Sequence, residues 1–281
     1  MKKLALTSLL VAALLSCSQL VEDNSATVVE AASRSLNAAP VEVLSVETYE
    51  HIYQGSISRT REVIVRVQDF GQGQIKDVTL YGELEDGQWV GLTGAADIEY
   101  VGPAGSGFDL YKIYKSDFIQ TYSMNWADEF VVKYDSPNGT FWDNNNGANF
   151  TVDYNDGMYL DPSAGNLRVG DYWVSSNLDF SGSLWGRVFV RNIAPNKTVK
   201  LVYTTDAWAT SDVGYAVYKP YYNVGYAPNI INPNDHGVER WEFNIQLPAG
   251  FDKADLEFAV EYTAEGVGTF WDNNFGNNYA E

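Results

Sequence analysis

Two ten-residue runs carry the most chemically capable side chains of this 281-residue chain at matched spacing: residues 141–150 read FWDNNNGANF and residues 270–279 read FWDNNFGNNY. Each combines a flat indole, one carboxylate and several neutral carboxamides around a glycine. A carboxamide supplies a donor and an acceptor with no charge to desolvate, and an indole covers an apolar face. The set suits an uncharged ligand rich in hydroxyls. Calcium competes for loops built of Asp and Asn, but DNNNG and DNNFG lack the ligand order of an EF-hand with Gly at its sixth place, and most of the candidate ligands are neutral amides. Hydrolysis needs two carboxylates across a cleft or an activated nucleophile. Asp143 and Asp272 are the repeated acids, yet they occupy equivalent positions of two separate copies and do not make a pair. Neither run holds a histidine, and the chain has no G-x-S-x-G elbow and no P-loop. Two histidines, His51 and His236, and a single cysteine leave little for zinc. These residues point to binding without catalysis, with no metal and no cofactor.

The runs need strands to hold them. Thr140 and Thr269 precede them, and upstream the segments FVVKY (130–134) and FAVEY (258–262) alternate with Phe, Val and Tyr on one face. The two runs lie 129 residues apart, a spacing of whole domains rather than short repeats. Further upstream, residues 187–192 (RVFVRN), Lys197, residues 199–203 and Trp208 parallel residues 63–67 (VIVRV), Lys76, residues 78–81 and Trp89. Strands of period two, breaks rich in Gly, Asn, Asp and Pro, and no amphipathic helix beyond the N-terminal segment predict an all-β chain of two tandem sandwiches. The expected domains are 42–155 and 170–281, joined by a turn-rich linker at 156–169.

With 18 Lys+Arg against 37 Asp+Glu the formal net charge is -19, which excludes nucleic acid and electrostatic docking on anionic lipid. A hydrophobic content of 45% and an aromatic content of 14% supply packed cores and argue against disorder. Residues 1–16 read as an export signal, with Lys2 and Lys3 followed by an apolar stretch from Leu4 to Leu15 too short to span a bilayer. Leu14-Leu15-Ser16-Cys17 resembles the lipobox of bacterial lipoproteins, which makes Cys17 the expected lipidation site; an ordinary secretory signal with a chance cysteine is the other reading. Residues 17–41 read as a tether. Ser18 after the cysteine favours, by resemblance to enterobacterial sorting, the outer membrane of a Gram-negative bacterium, facing the periplasm or the surface.

The later run, with Asn192, Lys197, Val199, Asp206 and Trp208 upstream as N-x4-K-x-V and D-x-W, resembles carbohydrate-binding module family 21. That family comprises starch-binding domains of fungal glucoamylases and glycogen-targeting subunits of type-1 protein phosphatase. The likeness covers nearly all of residues 170–281, and the copy at 42–155 is recognised partly through its likeness to the later one. The resemblance implies immunoglobulin-like β-sandwiches that bind α-1,4-glucan through an aromatic platform and flanking polar groups. Carried over by position, Trp208 and Trp271 would face sugar, Asn273 and Asn278 would hydrogen-bond it, and Lys197 would lie near the glycan. The earlier copy would use Trp89, Trp142, Asn144, Asn149 and Lys76. The chain departs from the pattern at Phe150, where the motif has Tyr279, and at Pro195 and Gln74, where some members place an aromatic for a second sugar site. The phosphatase-docking pattern of basic-Val-x-Phe has no clean copy, since Arg187-Val188-Phe189-Val190 ends in Val.

Structural readings stand beside these roles. Trp142 and Trp271 either face sugar or anchor packing. Phe141 and Phe270 read as core, and Asp143 and Asp272 as caps that bond turn amides. The Tyr-rich stretch 214–226 either extends the platform through Tyr221, Tyr222 and Tyr226 or forms a strand pair with an aromatic edge. The expected function is non-catalytic capture of α-glucan of glycogen or starch type by a membrane-anchored lipoprotein, with a separate amylase or porin as partner. The alternative is an adhesion or envelope-assembly lipoprotein whose sandwiches bind protein.

Overall fold

Alternating burial builds both halves of the chain. Phe130, Val132 and Tyr134 point inward from the Glu129–Ser136 strand, as Phe258, Val260 and Tyr262 do from Glu257–Ala264, while Lys133 and Glu261 lie on the opposite face. A computed structural model describes residues 39–53, 56–84, 86–105, 107–118, 129–177, 180–222 and 229–280. The expectations for residues 1–38, including Cys17, and for Tyr226 lie outside the described residues. The described elements are strands and short 3-10 turns, so the chain is all-β.

In the earlier half one antiparallel sheet runs, in spatial order, Met158–Leu160, Val41–Tyr53, Ser56–Gln68, Phe108–Phe118 and Ile98–Gly105. A second runs Trp89–Gly91, Asp77–Glu83, Glu129–Ser136 and Gly139–Asp143. Val43, Val63, Val65, Leu80, Phe130 and Tyr134 form the core between them. The later half has its own pair: Leu167–Asn177, Phe180–Arg191, Val238–Ala249 and Val217–Tyr218, against Asp212–Tyr215, Lys197–Thr204, Glu257–Ala264 and Gly268–Asp272. Leu184, Val188, Leu201, Phe243, Phe258 and Tyr262 fill that core.

Two polar devices tie each pair of sheets. Tyr134 Oη donates to the Gln68 carbonyl at 2.9 Å and Tyr262 Oη to the Arg191 carbonyl at 2.8 Å; burial pushes both phenols up to about 12. Asp143 Oδ2 accepts the Val43 amide at 2.6 Å, and Asp272 Oδ2 accepts the Val169 amide at 2.8 Å.

The stretch 156–169, expected as a turn-rich linker, also contributes a short strand. Met158–Leu160 forms a strand paired with Ser45–Glu47, and the buried Met158 and Leu160 pack with Phe189 and Val238 of the later half. Three alternating residues are too few to stand out as a strand pattern in the sequence.

Candidate functional site

The outer face of one sheet in each half, turned away from the core, carries the four indoles of the motif positions. In the earlier half Trp142 pairs across the sheet with Lys133 and Trp89 with Glu83. These two indoles stand on opposite edge strands, three strand spacings apart across the sheet and about four residues apart along it. The Trp142 ring meets Tyr81 edge-on at 5.4 Å, and Lys133 Nζ lies 5.6 Å from the Tyr81 ring centre and 5.7 Å from that of Trp142. In the later half the cross-strand row is Tyr215, Lys200, Glu261 and Trp271, with Lys200 paired to Glu261 at 2.8 Å. Trp89, Trp142, Trp208 and Trp271 are 40%, 47%, 39% and 46% exposed, so none is a buried packing anchor.

Trp208 is held by a tight loop. Ala207 and Trp208 sit at φ +53° and +65°, a region that residues with side chains adopt rarely. Thr204 Oγ1 accepts the Trp208 amide at 3.0 Å, and Asp206 Oδ1 accepts the Thr210 amide at 2.8 Å; that amide, with the Thr210 hydroxyl, holds the Asp206 carboxyl below its usual range. The Trp208 indole N–H then donates to Glu257 Oε2 at 2.6 Å.

The carboxamides divide into two roles. Asn144 Oδ1 and Asn273 Oδ1 each accept the amide of the glycine three residues on, Gly147 or Gly276, at 3.0 Å, and both side chains are exposed. Asn149 Nδ2 donates to Glu129 Oε2 at 3.0 Å and Asn278 Nδ2 to Glu257 Oε2 at 2.9 Å. Glu129 and Glu257 were missed by the sequence reading; the available signal was the repeated Glu-Phe that opens each strand. Asp143 and Asp272 act as caps, accepting the amides of Asn145 and Asn274 at 3.1 and 3.2 Å in addition to the intersheet amides. Phe150 is buried at the place of Tyr279, whose hydroxyl donates to Asp272 Oδ2 at 2.8 Å.

Lys76 and Lys197 do not lie at a glycan surface, which corrects their assignment. Their side chains are 0% and 7% exposed. Lys76 Nζ bonds Asp109 and the Gly73 carbonyl, and Lys197 Nζ bonds Glu239 Oε1 at 2.6 Å. Each carboxylate comes from the opposite sheet, so the lysines are buried intersheet ties that need their partners to offset desolvation. Tyr222 is likewise buried, in a two-stranded pairing with Ile230–Ile231, while Tyr221 stays exposed. Among the described residues no group of three or more His, Cys, Asp or Glu side chains gathers as a metal site.

Displayed indoles beside carboxamides on one sheet face can cover an apolar surface and hydrogen-bond an uncharged, hydroxyl-rich ligand. Residues 173–280 match the family described as Carbohydrate/starch-binding module (family 21). The chain is similar to protein phosphatase 1 regulatory subunit 3B of Xenopus tropicalis, 37% identical over 98 residues, which cover 34% of this chain and 29% of that protein. It is similar also to regulatory subunit 3C of Bos taurus, 34% identical over 96 residues covering 34% and 26%. The chain thus spans less than a third of the length of these relatives. Among solved structures, the starch-binding domain of Rhizopus oryzae glucoamylase with beta-cyclodextrin and maltoheptaose is 25% identical, covering 43% of this chain and 95% of that one at a TM-score of 0.30. The carbohydrate-binding module of the muscle glycogen-targeting subunit of Protein Phosphatase-1 is 28% identical, covering 41% and 73%, also at 0.30.

Proposed function

We propose that the chain captures α-glucan of glycogen or starch type without cleaving it, through the outer sheet faces of both halves. The observation that carries this reading is the display of Trp208 and Trp271 on one face of the module at residues 173–280. A glucose ring presents an apolar C–H face ringed by hydroxyls, which an indole and neighbouring carboxamides match. The earlier half is read as a second module because it repeats the intersheet aspartate and tyrosine, the capped turn and two displayed indoles. A few contacts of roughly 1 kcal/mol each give site affinities on the order of 10 μM to 1 mM. Two linked faces on one polymer raise the apparent affinity about 10²- to 10⁴-fold.

A lipid anchor at Cys17 fits this role by keeping captured polymer at an outer membrane, where a separate amylase or porin receives it. The apolar segment ending at Cys17 supports that setting. Insoluble-starch pull-down tests the binding: Trp89→Ala with Trp208→Ala is expected to lose most retention, and full retention would remove both platforms. Incubation with amylose is expected to release no new reducing ends, and reproducible release would overturn the non-catalytic reading.

A further inference from the structure

A cleft of about 380 Å³ opens between the first sheet of the earlier half and the DNNFG turn of the later half, within the range of small-ligand sites, about 300–1,000 Å³. Trp173 and Phe275 line it from the later half, and Glu47, Glu62 and Lys112 from the earlier. Neither aromatic is one of the four indoles displayed on the outer faces.

Trp173 stacks on Trp185 across its strand pair, with ring centres 4.1 Å apart and planes 20° from parallel. Trp185 covers one face of the Trp173 indole, and Trp173 lines the cleft. The stack also fixes the ring, and a ligand need not order it.

Phe275 sits at φ +56° and is 42% exposed. A bulky side chain adopts that backbone region rarely, and such outliers gather at ligand sites. The equivalent residue of the earlier turn is Asn146 at φ +57°, a type that tolerates the region. A core role does not explain an exposed phenyl ring held there; its place on the cleft wall does.

The opposite wall carries one matched pair of charges. Lys112 Nζ lies 3.3 Å from Glu62 Oε2, and both line the cleft. Such pairs accept from and donate to hydroxyls without demanding a counter-charge from the ligand. A purely apolar occupant would bury these groups against nothing that bonds them.

We infer that this cleft binds a short neutral oligosaccharide, stacked on Trp173 and Phe275 and hydrogen-bonded to the Glu62–Lys112 side, as a site separate from the outer sheet faces. The choice of a glucan as ligand rests on the proposed function; the site rests on the cleft's own residues.

The test titrates maltoheptaose into the ¹⁵N-labelled full chain and follows the indole N–H signals of its eight tryptophans, Trp173 being assigned with Trp173→Phe. Trp173 is expected to shift saturably in the unsubstituted chain and in a variant with Trp89, Trp142, Trp208 and Trp271 all changed to Ala. Phe275→Asn, which reproduces the earlier turn and so preserves the fold, is expected to weaken that shift at least about fivefold while leaving the outer-face signals in place. A still Trp173 signal beside moving outer-face indoles would overturn the cleft site and leave the outer faces standing. Movement of Trp173 unaffected by Phe275→Asn would overturn it equally. Movement of Trp173 alone would sustain the cleft and remove the outer faces, and still signals throughout would remove both.

Discussion

The indole nitrogen of Trp208 donates to Glu257 Oε2 at 2.6 Å, and the same oxygen accepts Asn278 Nδ2 at 2.9 Å. One carboxylate thereby fixes a ring and a carboxamide of the candidate site before any ligand arrives, which lowers the ordering cost of binding. Glu257→Gln keeps the size but weakens a charge-assisted acceptor shared by two donors. Calorimetric titration with maltoheptaose is expected to show affinity reduced about 3- to 10-fold, or roughly 0.7–1.4 kcal/mol. Unchanged affinity would separate Trp208 orientation from binding.

Lys197 gives the opposite pattern. Lys197→Ala leaves Glu239 buried without its cation, a change expected to cost about 3–5 kcal/mol in denaturant unfolding. Glucan affinity of the folded variant is expected to stay within about twofold. A loss of affinity without loss of stability would return Lys197 to the glycan surface.

Asp272→Ala removes the acceptor for the amides of both Val169 and Asn274. Each donor left unmet costs about 1–3 kcal/mol, so the urea midpoint is expected to fall clearly. A variant of undiminished stability would show that Asp272 does not tie the sheets.

Burial pushes the Glu47 carboxyl up to about 7, against the pull of the Arg187 guanidinium beside it. A carboxyl raised in the folded state contributes stability that is fully present below its ordinary value of 4.5 and is lost as pH rises through about 7. The interval corresponds to at most about 3 kcal/mol. Glu47→Gln mimics the protonated form, so its melting temperature is expected to fall less than that of the unsubstituted chain between pH 5 and pH 8, at fixed ionic strength. Parallel pH profiles for the two proteins would contradict the assignment.

The strands were legible where burial alternates, as at Phe130, Val132 and Tyr134, and the turns where Asp, Asn and Gly recur. Repetition exposed Trp142 and Trp271 as a pair, and their exposure follows from standing opposite Lys133 and Glu261 on the outer face. The buried lysines were misread because their partners are remote: Asp109 lies 33 residues from Lys76, and Glu239 lies 42 from Lys197. No local pattern reveals such an intersheet tie. Trp173 escaped because it does not repeat. Four residues beyond the tied amides of Val43 and Val169 stand Glu47 and Trp173 respectively, so comparison of the halves could not flag the indole.

Sedimentation with insoluble starch, comparing the unsubstituted chain with the variant carrying Trp89→Ala, Trp142→Ala, Trp208→Ala and Trp271→Ala, addresses the outer faces most directly. The unsubstituted chain is expected to co-sediment and to be released by soluble maltoheptaose, and the folded variant to lose at least about nine-tenths of its apparent affinity. Equal sedimentation of the two proteins would contradict the account.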